Sequence, residues 1–155
     1  MVAYKKKKKI ERRQNPHDRF IAQGRSPEHY YAENPAWAFA GTDLLMWTFS
    51  EEHIGNDFWR DILPKLKSFE SHSWKEILVK DKKQNHSLKA ESLSKAARDR
   101  LAAQYIEADS IISLRLTGTH RLYGYITGRV FNIVWYDDNH GDNETCVCRS
   151  RLKHT

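Results

Sequence analysis

Arg121 and His140 are the two residues whose types and positions fit one chemistry. They bracket the segment RLYGYITGRVFNIVWYDDNHG, residues 121–141, in which apolar and aromatic residues recur. A histidine can take up or release a proton near neutral pH, and the planar, always charged arginine suits a phosphate. The pair fits metal-free RNA cleavage: a base takes the 2′-OH proton, an acid protonates the leaving 5′ oxygen, and a cation stabilises the phosphorane.

That reaction needs a second proton carrier, and the sequence offers Tyr136 or His86 for this role. Tyr123 can stack a base, and Arg115 and Asn132 are expected to join it in binding nucleic acid. Each residue also has an ordinary structural interpretation. Surface arginines often only pair with carboxylates, aromatic strand residues mostly pack, and a turn rich in Asp, Asn and Gly is usually just a turn.

The residues after Asp109 alternate with a period of two, which is typical of strands. The predicted strands form an antiparallel meander near residues 111–117, 121–126 and 129–136. We place a two-residue turn at Thr127-Gly128 and a three-residue loop at Gly118–His120, because this register keeps the apolar residues on one face.

This register predicts a sheet with one core face and one polar face. The core face is predicted to hold Leu116, Leu122, Phe131, Ile133 and Trp135. The polar face is predicted to hold Arg115, Arg121, Tyr123, Asn132 and Tyr136, with His140 at its rim. The apolar strands would then be a rigid support for the candidate site.

The residues before Asp109 mostly show helical spacing, so the predicted fold class is α+β, with helices packed on an antiparallel sheet that ends in the meander. Four helices are predicted. The first is short and runs from Ser26-Pro27-Glu28 to Asn34, and the second is NDFWRDILPKLKSFE, which is interrupted at Pro64. The third begins at the capping box SWKE, and the fourth covers residues 94–106. PAWAFAG is predicted to be extended or irregular, LLMWTFS to be the first strand, and the residues around His86 to be a polar loop.

The positive charge of the chain is concentrated at its N-terminus. Nine basic and two acidic residues give residues 1–26 a charge of +7, so the other 129 residues sum to −1 in a chain of +6. We interpret residues 1–25 as a basic flexible tail and residues 26–155 as one domain. The tail is either a solvated segment or an electrostatic arm for nucleic acid, through Lys5, Lys6, Lys7, Lys8 and Lys9.

Cys146 and Cys148 are the chain's two cysteines. Two ligands are too few for a zinc site without histidines, and so close a pair closes almost no loop as a disulfide. We interpret them as reduced thiols in a cytoplasmic protein, and we expect no metal and no cofactor. No segment is apolar enough to span a membrane or to act as a secretory signal.

The segment HRLYGYITGRVFNIVWYDDNH resembles the C-terminal hairpin of the YoeB-like branch of the RelE/ParE superfamily of bacterial toxins. In that branch an arginine opens the third strand and a histidine follows the last strand. Arg121 and His140 match those positions, and the resemblance covers roughly residues 45–140. It implies a metal-independent endoribonuclease of a toxin–antitoxin system, acting on RNA that is ribosome-bound or free, with a cognate antitoxin protein as partner.

Two classes of function therefore remain open. The positions of Arg121 and His140 favour the endoribonuclease. The net charge of −1 on the residues after residue 26 does not, because a surface that holds a phosphate backbone is normally strongly positive. The alternative is a non-catalytic protein-binding module of phage or mobile-element origin, which would hold a partner protein on the same sheet.

Overall fold

A five-stranded mixed sheet forms the centre of the computed structural model, which describes residues 29–108, 110–141 and 145–148. The fold class is α+β, as predicted. Along the chain the strands are β1 (Ala36–Ala38), β2 (His86–Lys89), β3 (Ser110–Arg115), β4 (Arg121–Thr127) and β5 (Val130–Asp137). Their order in the sheet is β1-β5-β4-β3-β2. The β3–β4–β5 meander is confirmed, but the sheet is not purely antiparallel, because β1 runs parallel to β5.

The α-helices of the described ranges are α1 (Glu51–Ile54), α2 (Leu63–Glu70) and α3 (Lys95–Ala103). A π-helical turn, Phe58–Ile62, precedes α2, so Pro64 lies in the first turn of a new helix, where a missing N–H costs little. None of the described helices is long and apolar enough to cross a membrane.

The predicted capping box is present. The backbone N–H of Glu76 donates to Ser73 Oγ at 3.2 Å, and the backbone N–H of Ser73 donates to Glu76 Oε1 at 3.1 Å. Helix α3 also begins as predicted, because Ser94 Oγ accepts the backbone N–H of Ala97. It ends at Ala103, however, short of the predicted end at residue 106, and the Tyr105 side chain is exposed.

The elements that precede α1 differ in part from the predicted ones. The strand predicted at LLMWTFS is wrong: residues 44–47 form bends, and Asp43 Oδ1 accepts the backbone N–H groups of Leu45 and Met46. Such local carboxylate bonding favours turns over strands. The extended PAWAFAG segment instead supplies β1. Residues 29–33 form a turn, whereas the rest of the predicted N-terminal helix start and the basic tail lie outside the described residues.

Both turns of the meander are shifted by one residue from their predicted positions. Thr127 pairs with Val130, so the β4–β5 turn is Gly128-Arg129, with a φ of +63° at the glycine. Glycine adopts such positive φ values without the cost that a side chain brings. Between β3 and β4, the backbone N–H of Leu116 donates to the carbonyl oxygen of His120 at 3.0 Å, which makes residues 117–119 the loop.

A β-bulge in β5 changes which face its last residues occupy. Tyr123 pairs with Trp135, whereas its neighbour Gly124 pairs with Ile133, so Val134 is an extra residue. A bulge breaks the alternation of a strand. The predicted faces of Trp135 and Tyr136 are therefore wrong.

The sheet is covered on both faces rather than on one. The first face packs on α1, α2 and the turns beside them through Ile112, Leu114, Leu122, Ile126, Phe131, Ile133 and Tyr136. The second face packs on α3 and on the 145–148 segment through Ile111, Tyr123, Val134 and Trp135. The predicted open polar face is thus limited to the end of the sheet that lies beyond this second core.

We expect Gly124→Ala to destabilise the fold by about 3 kcal/mol or more, as overpacking of a closed site does. A Cβ at this position would lie 2.1 Å from the carbonyl oxygen of Asn132 and 2.9 Å from Phe131 Cζ. Urea denaturation measures the loss. Gly41→Ala is the matched control, because its Cβ would meet Tyr125 Oη only at 3.9 Å. Equal stability of the two variants would contradict the bulged register.

Candidate functional site

Arg115 and Arg121 lie directly opposite each other where β3 and β4 leave the sheet. They share the second face with Tyr123, which packs in that face's core. Two like charges in opposite positions of an antiparallel pair are unfavourable unless an anion lies between them. We call these two residues, with Tyr123, Asp137 and His140, the arginine-pair site.

Neutral groups hold both arginines in place. Arg121 Nη1 donates to the carbonyl oxygens of Gly118 at 2.7 Å and His120 at 3.0 Å. Arg115 Nη1 donates to Gln84 Oε1. Within the described part of the chain neither guanidinium forms an ion pair with a carboxylate. Both side chains are half-buried, so their remaining N–H groups can meet a ligand from solvent.

Burial and neighbouring charges both affect the pKa of Arg121. Burial lowers the pKa of its guanidinium, and the neighbouring charge of Arg115 lowers it further. Tyr123, Asp137 and Cys148 act in the opposite direction. An arginine stays charged in such surroundings. The two guanidinium groups therefore form a partly desolvated pair of cations, and the electrostatic attraction of an anion is stronger in such surroundings than in water.

The floor of the site is formed by two fully buried polar side chains, Tyr123 and Asp137. Asp137 pairs with Arg121 across the strands, and its carboxylate accepts the backbone N–H groups of Asn139 at 2.9 Å and Val147 at 2.8 Å. Burial raises the pKa of Asp137, and these two N–H donors lower it in part. Burial also raises the pKa of Tyr123, so its hydroxyl keeps its proton.

His140 lies at the rim, where it joins the end of β5 to the β3–β4 loop. Its backbone N–H donates to the carbonyl oxygen of Thr119 at 3.0 Å. Its Nδ1 lies 3.2 Å from Tyr123 Oη and 3.6 Å from Cys148 Sγ. The imidazole is therefore held over the same face that carries the arginines.

His86 approaches the site from β2. It was predicted in a polar loop, which is wrong: it is the first residue of β2 and pairs with Ser113, which in turn pairs with Tyr123. The three residues form one row across the sheet. His86 is half-buried and lies two strands, roughly 10 Å, from Tyr123.

Two predicted site residues lie elsewhere. Tyr136 is buried in the first face, where its hydroxyl bonds His120 Nδ1 and its ring meets the edge of His53. The bulge in β5 places Tyr136 on the face of the sheet opposite to Arg121. Asn132 lies at the far end of β4 and β5, where its amide donates to Thr127 Oγ1 at 2.9 Å. Lys5–Lys9 lie outside the described residues.

Asp137 and Cys148 also belong to this region, although neither was predicted as a site residue. Asp137 belongs to the segment DDNHGD, which indicated only a turn. In the described ranges no cluster of three or more His, Cys, Asp or Glu side chains is arranged to hold a metal. The pairing of Asp137 with Arg121 depends on the register of β4 and β5, which the sequence predicted with a shifted turn.

Comparison of the chain with protein-family models, with curated proteins and with solved structures gives no match in any of the three. The resemblance to the RelE/ParE superfamily therefore stays a prediction that rests on Arg121, His140 and the strand pattern.

Proposed function

We propose that this protein is a metal-independent endoribonuclease that binds the RNA phosphate backbone at the arginine-pair site. The observation that supports this most is the cross-strand pairing of Arg115 with Arg121, next to a rim histidine and with no carboxylate ion pair among the described residues. A pair of partly buried guanidinium groups matches the charge and the planar geometry of a phosphodiester.

In this mechanism His140 takes the proton from the 2′-OH, and Arg121 and Arg115 stabilise the phosphorane. Tyr123 orients His140, because its protonated hydroxyl lies 3.2 Å from Nδ1. His86 shares the face and is the candidate acid for the leaving 5′ oxygen. Tyr136 receives no role, because it lies on the other face of the sheet.

The biological setting of this proposal is a toxin–antitoxin system in the cytoplasm. RNA, ribosome-bound or free, is the proposed substrate, and an antitoxin protein is the proposed partner. The support comes from the resemblance of the segment around Arg121 and His140 to YoeB-like toxins. A small reading frame adjacent to the gene, encoding a protein that binds this one, would strengthen the assignment.

Inorganic phosphate is expected to stabilise the folded protein through the arginine pair. At about ten times its Kd it should raise the Tm by roughly 3–6 °C, because a ligand that binds only the folded state shifts the unfolding equilibrium. Differential scanning fluorimetry measures the shift against chloride at equal ionic strength. Arg115→Gln and Arg121→Gln should each abolish it.

The matched control for this experiment is Arg98→Gln, which removes an exposed arginine of α3. This variant should keep the phosphate shift of the wild type. A shift that survives in both Arg115→Gln and Arg121→Gln, or that Arg98→Gln removes, would show that phosphate does not bind at the arginine pair.

The protein-binding alternative is favoured by a different surface. Phe39, Phe49, Phe58 and Trp59 form a continuous series of ring contacts, and both Phe39 and Trp59 are exposed. Phe49, Phe58 and Trp59 also line a groove of about 340 Å³. Exposed aromatic side chains are frequent in protein interfaces. If partner binding is the function, Trp59→Ser should abolish the cellular phenotype while the phosphate shift is unchanged.

A further inference from the structure

The sulfur atoms of Cys146 and Cys148 lie 2.9 Å apart, and both cysteines are free. The chain bends at Val147, which is fully buried against the core of the second face. Cys148 also forms an isolated bridge with Leu93. The two thiols are thus held face to face by a segment that is anchored on both sides.

The two thiols differ in their access to solvent. Cys146 is only 4% exposed, and burial, with a further contribution from the nearby Cys148, raises its pKa to about 12. Its thiol lies 3.0 Å from the carbonyl oxygen of Cys148, to which it donates. Cys148 is half-buried, and its Sγ lies 3.6 Å from His140 Nδ1. A thiolate on Cys148 is also attracted by Arg121, whose pKa it raises.

Two other uses of this pair fit less well. A metal would need further ligands, and the described residues contain no suitable cluster of three. A permanent structural disulfide would close a loop with one residue between its cysteines and would therefore constrain the unfolded chain very little. Reversible exchange needs only what is present: one accessible thiol in a cationic environment and a second thiol within reach.

We propose that Cys146 and Cys148 are a redox site that forms a reversible disulfide by exchange with a small-molecule disulfide of the glutathione type. The Cys148 thiolate attacks one sulfur of that disulfide, the external S–S bond breaks, and the first glutathione leaves and takes up a proton. Cys146 then gives up its proton and attacks Cys148 Sγ, which releases the second glutathione as a thiol. Two protein thiols are oxidised and one external disulfide is reduced.

This proposal does not depend on RNA cleavage, and mass spectrometry of the full-length protein in oxidised glutathione tests it. The wild type should lose two hydrogen atoms from the peptide that contains both cysteines, and excess reduced dithiol should restore them. Cys146→Ser should stop at a stable glutathione adduct on Cys148. Cys148→Ser should be modified at least about tenfold more slowly, because Cys146 is buried and protonated.

Denaturation supplies the internal control for the two serine variants. In concentrated urea their modification rates should converge, because the difference arises from the fold. A wild type that forms no disulfide in oxidised glutathione would overturn the proposal. Equal modification rates of the two folded variants would also overturn it, because Cys148 would then not be the attacking thiol.

Discussion

Arg121→Gln and His140→Ala are each expected to slow RNA cleavage by roughly a hundredfold or more, the usual scale for a charge-stabilising group or a general base. Arg121 supplies a partly desolvated cation opposite Arg115. His140 is the proton carrier of the proposed mechanism, and its Nδ1 lies 3.2 Å from Tyr123 Oη. The rates are measured on a defined RNA strand with purified protein, and relief of growth arrest in bacteria is the parallel readout.

Two further variants make this result specific. Arg121→Lys keeps the charge but loses the planar donor fork, so its activity should lie between those of the wild type and Arg121→Gln. Arg98→Gln removes an exposed arginine and should leave cleavage unchanged. If Arg121→Gln and His140→Ala lose activity only in proportion to lost folded protein, as circular dichroism would show, both residues are structural.

Asp43→Ala is expected to cost about 3–5 kcal/mol of stability, as removal of one partner of a buried ion pair does. The Asp43 carboxylate is buried and accepts two hydrogen bonds from Arg100, at 2.9 and 2.8 Å. It also accepts the indole N–H of Trp135 at 3.0 Å and the backbone N–H of Leu45 at 2.9 Å. One side chain therefore ties the 43–46 turn, α3 and β5 together.

Chemical denaturation measures this loss, and Asp99→Ala is its matched control. Asp99 pairs with Lys95 at 3.0 Å on the exposed surface of α3, so its removal should cost less than about 1 kcal/mol. If the Asp43 and Asp99 variants lose similar amounts of stability, Asp43 does not act as the buried link between these elements.

The contribution of Asp43 should also depend on pH. Burial alone would raise its pKa, but the hydrogen bonds from Arg100, Leu45, Trp135 and Met46 outweigh burial and bring it below the ordinary value of 3.8. A carboxyl with a depressed folded-state pKa stabilises the fold above its unfolded pKa, and this stabilisation is lost as the pH falls through the folded value.

The difference in unfolding free energy between the wild type and Asp43→Asn should therefore be constant from about pH 5 to pH 8 and should shrink below about pH 4. Asp137 is present in both proteins, so its contribution cancels in this difference. Burial raises the pKa of Asp137, and the stabilisation that it provides is therefore lost as the pH rises. A difference that grows on acidification would contradict the ion pair.

The meander was predictable because its information is local. Alternation along residues 110–137 identifies the three strands, and only their turns were displaced by one residue. The bulge was not predictable, since it depends on Gly124 allowing the carbonyl oxygen of Asn132 to approach closely. That single event reversed the faces of Trp135 and Tyr136.

The hydrogen-bond network of Asp43 also could not be predicted from the sequence pattern. Its partners Arg100 and Trp135 lie 57 and 92 residues away along the chain. An isolated aspartate in front of an apolar run carries no sign of such partners. Cys148 was interpreted only as a reduced thiol, because the sequence pattern gives no sign that its Sγ lies 3.6 Å from Nδ1 of His140, eight residues earlier.

The candidate site was predicted in part for a clear physical reason. In any register that keeps Leu114 and Leu122 together on one face, the other face holds Arg115, Arg121 and Tyr123. The one-residue shift of the loop therefore did not change which residues share that face. His86 joins them only because β2 pairs with β3, and the sequence around it gave no strand signal.

The proposed endoribonuclease activity is tested by incubating the purified wild-type protein with a single RNA strand, alone in excess EDTA and with intact ribosomes in magnesium buffer. We expect cleavage to persist in EDTA, to leave a 2′,3′-cyclic phosphate and a 5′-hydroxyl, and to stop at a position where the 2′-OH is replaced by hydrogen, because His140 acts on that hydroxyl. RNA that stays intact under both conditions, or that is cut equally well without its 2′-OH, would contradict the assignment of Arg121 and His140.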